Sequence, residues 1–148
     1  MESDIFFLNE ALLEAKKALE IDEVPVGAII VKDGKIIARG YNLKEKKNDV
    51  TAHAEIEAIK NASKKMNTWR LDETTLYVTL EPCPMCAAAI MQSRIKRVVY
   101  GALDKKSGAL VSAFSLYETK GFNHYPVIHF EENKNCGEII SNYFKNKR

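Results

Sequence analysis

The sequence predicts an α/β fold, a sheet covered by helices on both faces. Three observations carry this. Segments with a helical period alternate with short runs rich in branched residues. Turn signals separate them. The order along the chain reads helix, hairpin, helix, strand, helix, strand, helix, strand, helix. No repeat, low-complexity tract or linker interrupts the 148 residues, so 1–148 reads as a single domain.

The first helix is expected over Phe6 to Leu19, where Leu8, Leu12, Ala15 and Leu19 can share a face. A break follows at Ile21 to Glu23. Val24 to Val31 is apolar and branched, Lys32-Asp33-Gly34-Lys35 is a hairpin signal, and Ile36 to Tyr41 is the partner strand. Asn42 to Asp49 is a lysine-rich loop. Thr51 is a fitting N-cap for a helix over Ala54 to Ala62, with Ile56, Ala58 and Ile59 inward and Lys60, Lys64 and Lys65 in water. Thr75 to Leu80 is a short buried strand ended by Glu81-Pro82, and Pro84 sits where a helix start tolerates proline. Cys86 to Met91 is apolar enough to be a buried helix. Val98 to Ala102 is a strand, Ser107 to Gly121 a loop with a short helix, and Tyr125 to Phe130 a late strand. Glu138 to Lys147 closes the chain as a helix with Ile139, Ile140, Tyr143 and Phe144 on one side.

Apolar residues make up 46% and charged residues 28%, which excludes a disordered chain. A net charge of +2 exerts no strong overall pull on nucleic acid but leaves room for a local basic patch. The acidic start Met1 to Asp4, and Asn9, Glu10 and Glu14 within the first apolar stretch, do not make a secretory signal. No apolar run reaches membrane-spanning length. The expectation is a cytoplasmic protein without a membrane partner. Three cysteines with one close pair do not suggest a disulfide framework; in a reducing compartment the pair reads as metal ligation or redox chemistry.

Two short clusters carry chemistry: His53-Ala54-Glu55 and Pro82-Cys83-Pro84-Met85-Cys86. One imidazole and two thiolates suit zinc, and three protein ligands leave a fourth position open, the mark of a catalytic site. Both clusters precede helices, whose positive ends favour thiolates. Glu55, two residues from His53, is placed to move a proton at the open position. Taken singly, the Cys-x-x-Cys pair also fits a redox motif or half of a structural zinc site, and His-x-Glu a chance surface pair. Without a second Cys-x-x-Cys there is no four-cysteine site, and a redox pair leaves His53 and Glu55 unexplained. Cys136 reads as an ordinary free thiol, with fourth zinc ligand as the lesser alternative.

In these residues the chain resembles the zinc cytidine/deoxycytidylate deaminase superfamily, whose signature is H-x-E followed at a distance by P-C-x-x-C. Within it, the chain looks most like the bacterial tRNA adenosine deaminases. The likeness runs through Glu23 to Ala28, Thr51 to Ile56, Thr79 to Cys83, Ser93 to Ile95, Val98 to Ala102, Phe122-Asn123-His124 and Tyr143-Phe144-Lys145. It implies a three-layer α/β/α sandwich with a mixed five-stranded sheet, a homodimer, one Zn2+ per subunit on His53, Cys83 and Cys86, and Glu55 as proton shuttle. It implies hydrolysis of adenosine to inosine at the wobble position of a tRNA anticodon loop, zinc-activated water attacking C6 of the adenine. Val26 and Asn42 correspond to groups that sandwich and orient the base, Ala54 and Cys83 to backbone groups around the reacting centre. Asp104, Asn123 and His124 correspond to positions near the flipped nucleotides, and Phe144 to the terminal RNA-contacting segment.

By residue type alone, Val26 equally fits a sheet core, Asn42 a turn cap, Asp104 a solvated loop, His124 a surface histidine and Phe144 a helix core face. The likeness is weakest from Ser115 to Tyr125. The family commonly carries an acidic or amide residue where Ser115 stands and a basic one where Tyr125 stands, and both bear on RNA grip. Lys145, Lys147 and Arg148 are expected to approach phosphate. Rival readings are a deaminase of a free base or nucleoside, an RNA-binding module with structural zinc, and a partner subunit without catalysis. An intact Glu55 counts against the last two.

Overall fold

The computed structural model describes residues 2–147. Five strands form one sheet in the order β2-β1-β3-β4-β5. They are β1 (Gly27–Lys32), β2 (Lys35–Tyr41), β3 (Thr74–Val78), β4 (Arg97–Tyr100) and β5 (Val127–Phe130). β1 runs antiparallel to β2 and β3, while β3, β4 and β5 are parallel, so the sheet is mixed as expected. The helices are α1 (Glu2–Glu20), α2 (Ala54–Met66), α3 (Pro84–Gln92) and α4 (Lys134–Asn146).

Strand side chains alternate between faces, and the core divides accordingly. Ala28, Ile30, Leu76, Val78, Val98 and Tyr100 pack with Ala54, Ala58 and Ala62 of α2 and Ala87 and Ile90 of α3. Their neighbours Ile29, Val31, Tyr77 and Val99 turn the other way and meet Leu8 and Ala11 of α1. A smaller cluster joins Leu12 and Ala15 to Ala102 and Cys136. Cys136 is therefore a fully buried apolar contact of α4 and not a fourth metal ligand. No helix among the described residues is long and apolar enough to cross a membrane.

Element identities follow the sequence reading; several boundaries do not. Asp33 and Gly34 both adopt positive φ, as a tight hairpin between β1 and β2 requires. Val24 to Val26 lies outside β1. Leu19 is 43% exposed, because α1 turns Ala18 and not Leu19 to the sheet. Thr51 does not cap α2: its hydroxyl and amide both donate to Asp49 Oδ1, and His53 is the N-cap. The stretch 107–121 is mostly turns around one 3-10 turn at Leu116–Glu118. α4 begins earlier than expected because the Asn133 side chain accepts from Asn135 and Cys136 N–H.

Candidate active site

Two helix starts meet at the ends of the central strands. His53 and Cys83 are the N-caps of α2 and α3, both with extended backbone (ψ 159° and 174°), and neither side chain caps its own helix. Imidazole and thiol are thus free to turn to each other. α2 is held close by Gly40 of β2, where a Cβ would stand 2.5 Å from Ala58 N and 2.6 Å from Ala54 O. α3 follows β3 through Thr79 to Pro82, with Pro84 in its first turn.

His53 Nδ1 lies 3.7 Å from Cys83 Sγ and 3.5 Å from Cys86 Sγ. A tetrahedral zinc with ordinary Zn–N and Zn–S bonds sets nitrogen and sulfur about 3.6 Å apart, so the donor set and its spacing fit the metal. The Cys86 thiol's hydrogen bond, with further help from His53, holds the Cys83 thiol down at about 4 against the effect of burial. Donation to Cys83, together with burial, pushes Cys86 up. The hydrogen bond to Cys83 raises His53. The other grouping of possible ligands among the described residues is Asp4, His129 and Glu131. There the Asp4 oxygens already accept from Tyr77 and Arg97.

Glu55, in the first turn of α2, is 4% exposed. Burial pushes its carboxyl up to about 7, and the negative Cys83 adds to the rise. A carboxyl whose proton is held more tightly than usual is suited to general acid–base work.

Above this floor opens a pocket of about 720 Å³. Val26, Asn42, Ala54, Asp104 and Phe144 all line it. The Asn42 side chain is already engaged, donating to Val24 O and accepting from Lys44 N–H. The Asp104 carboxylate accepts from Lys106 N–H, Ser107 N–H and Ser107 Oγ, so it shapes its own loop. Phe144 is 48% exposed, on the pocket side of α4 and not in a core.

Asn123 and His124 do not line the pocket. His124 Nε2 donates to Ile95 O, just before β4, whereas the pocket lies beyond the far end of that strand, at Leu103. The intervening connection from 101 to 126 runs back along the sheet. Lys44, Lys105, Lys106 and Lys147 line the pocket; Lys147 also pairs with Asp22 at 2.7 Å. Lys145 is exposed away from the pocket lining, and Arg148 lies outside the described residues. Sequence reasoning passed over Glu23 and Glu81, both 2% exposed. The one available signal was a carboxylate beside an otherwise apolar strand.

The profile of the MafB19-like deaminases matches residues 2–148. A tRNA-specific adenosine deaminase of Bacillus subtilis (strain 168) is 46% identical, covering all of this chain and 92% of the relative. A solved structure from studies of A-to-I editing by tRNA:A34 deaminases at the wobble position of transfer RNA is 47% identical. It superposes with a TM-score of 0.83 over 86% of this chain and 98% of that one. A guanine deaminase structure from Bacillus subtilis is further away, 35% identical with a TM-score of 0.63 over 78% of this chain and 85% of that one. Matched almost end to end by that profile and by relatives of this name, the chain belongs to the tRNA-specific adenosine deaminase family.

Proposed function

We propose that this protein hydrolytically deaminates adenosine to inosine at the wobble position of a tRNA anticodon. It works in the cytoplasm as a homodimer, with one zinc ion held in each subunit by His53, Cys83 and Cys86. The observation that carries the reading is Glu55, a buried carboxyl in the first turn of α2, set beside the imidazole–thiol cluster at the base of a lysine-lined pocket. When bound, zinc supplies Lewis acidity at the position its three protein ligands leave open. Glu55 takes a proton from the attacking water and delivers one to the departing amine, so adenosine and water become inosine and ammonia. Val26, Ala54 and Phe144, which line the pocket, are apolar walls suited to the base, and the Asn42 side chain beside them suits its polar edge.

A target base must stand out of any helix for its C6 to be reached, as in an anticodon loop. Lys44, Lys105 and Lys106 around the mouth suit the phosphates on either side. Trp69, Val111 and Phe114, at 59%, 51% and 44% exposure, are among the exposed apolar side chains available to a second subunit. Asn123 and His124, at the opposite end of the sheet, fit a contact with RNA held by that second subunit.

The test is a substrate panel. An anticodon stem-loop with a wobble adenosine is compared with free guanine, cytosine and cytidine, alongside zinc analysis and light scattering for mass. Inosine in the stem-loop, one zinc per chain and a dimer mass are expected. Turnover of a free base with the stem-loop untouched would overturn the substrate.

A further inference from the structure

The two side walls of the pocket are loops, yet each is tied to a buried glutamate. On one side, Glu81 Oε2 accepts from Leu110 N–H at 3.1 Å, Val111 N–H at 2.9 Å and Ser112 N–H at 3.0 Å. Glu81 Oε1 accepts from Asp104 N–H at 3.2 Å and from Ser112 Oγ. The same segment is zipped to the loop through its main chain, Glu81 N–H to Ala102 O and Ala109 N–H to Pro82 O. Gly108 leaves room for this: a Cβ there would strike the Glu81 carboxyl carbon and stand 2.5 Å from both Glu81 Oε1 and Asp104 O. On the other side, Glu23 Oε1 accepts from Glu45 N–H at 3.1 Å and Glu23 Oε2 from Lys46 N–H at 2.7 Å, across the base of the loop that carries Asn42 and Lys44.

A carboxylate accepts only, at two oxygens with about four lone-pair sites, and is suited to hold several converging N–H groups without a donor of its own in the way. Neither acid pairs with a lysine or arginine among the ion pairs of the described residues. Both spend their charge on main-chain amides. The loop 43–49 is rich in lysine and has little apolar surface with which to hold a shape; on the other side Ala109 and Leu110 reach the core, but the tip from Asp104 to Gly108 does not have that support. Here a buried anion supplies the anchor.

We propose that Glu23 and Glu81 are positioning residues that hold the two pocket walls in their RNA-binding form, acting through the main chain and not on the base. Glu81 also links wall to floor, since Cys83 follows it by two residues. This rests on the RNA substrate proposed above, but part of its test does not depend on that substrate.

Hydrogen exchange on the wild-type protein comes first. The amides of Asp104, Leu110, Val111 and Ser112, and of Glu45 and Lys46, exchange at least tenfold more slowly than the unbonded amide of Lys105. Equal rates overturn the proposal whatever the substrate. Then E81Q and E23Q are assayed on the anticodon stem-loop. The amide sets an N–H against N–H donors, and KM rises at least tenfold while kcat stays within threefold and zinc content is unchanged. G108A, which pushes on the same contact from the loop side with the carboxylate intact, reproduces the KM effect and decides the matter if E81Q does not fold. A fall in kcat at constant KM, or lower thermal stability with both constants unchanged, overturns the positioning role. Failure of the wild type to make inosine removes the substrate reading, and the exchange pattern still judges the anchors.

Discussion

The floor and the rim of the pocket are built in opposite ways. The floor consists of residues at two helix starts, His53 and Glu55 on α2, Cys83 and Cys86 on α3, each pair within one turn of chain. The rim is loop held from a distance: Glu23 reaches 22 and 23 residues along the chain, Glu81 up to 31. Helix starts are stiff and present N–H groups and a positive end at no further cost in ordering. A loop gains the same definition only from a partner elsewhere in the fold. The chemistry accordingly sits on rigid elements, and the surface that must suit RNA sits on segments that can vary without disturbing it.

The largest effect expected from this division is at Glu55. Glu55→Ala should lower kcat by about 10³-fold or more, in line with the upper range for general acid–base groups, with zinc still bound by elemental analysis. Because the side chain belongs to the floor, KM for the stem-loop should move little. A variant that lost RNA affinity and kept kcat would erase the distinction between floor and rim.

A smaller effect tests whether buried carboxylates act alike. Asp4 lies on the α1 side of the sheet, away from the pocket, and is 2% exposed. The Arg97 hydrogen bonds hold its pKa at about 2, against burial and with help from Tyr77. Since this folded value is depressed below 3.8, its stabilisation is complete above pH 4 and is lost as pH falls toward and through 2. The shift corresponds to about 2 kcal/mol. Asp4→Asn should cost about that at pH 7 by urea unfolding and flatten the acid limb below pH 4, with kcat and KM unchanged. A change in KM would show that α1 and the rim are coupled.

The smallest is at the rim surface. Lys106→Ala should weaken stem-loop binding a few-fold and reduce the salt slope by about 0.7, the share of one contact to single-stranded phosphate. An unchanged slope would place Lys106 off the RNA path.

Much of this was legible along the chain. The alternation of periods announces the layered fold, and the hairpin at Asp33-Gly34 and the proline before Cys86 mark two junctions correctly. The four floor residues stand out because an imidazole, two thiols and a carboxyl come at short spacings that suit metal binding and proton transfer. Where the reading missed, a longer-range contact had decided. Thr51 looks like a cap, but Asp49 claims it and His53 takes the position. Leu19 looks inward by period, yet the helix turns Ala18 to the sheet. Asp104 and Asn42 line the pocket with side chains already engaged, Asp104 by its own loop and Asn42 by both Val24 O and Lys44 N–H.

The sequence by itself determined the fold class, the imidazole–thiol–carboxyl set and the helix starts that carry it. Each of these depends on residues within a few positions of one another, and backbone periodicity ties such neighbours to a known geometry. Only the tertiary structure decided that Glu23 and Glu81 anchor the pocket walls, that Asn123 and His124 lie at the other end of the sheet, and that Glu55 is buried beside the imidazole–thiol cluster. Those properties come from residues brought together across the sheet, and from the exclusion of water by the whole core. Neither has a local signature in the chain.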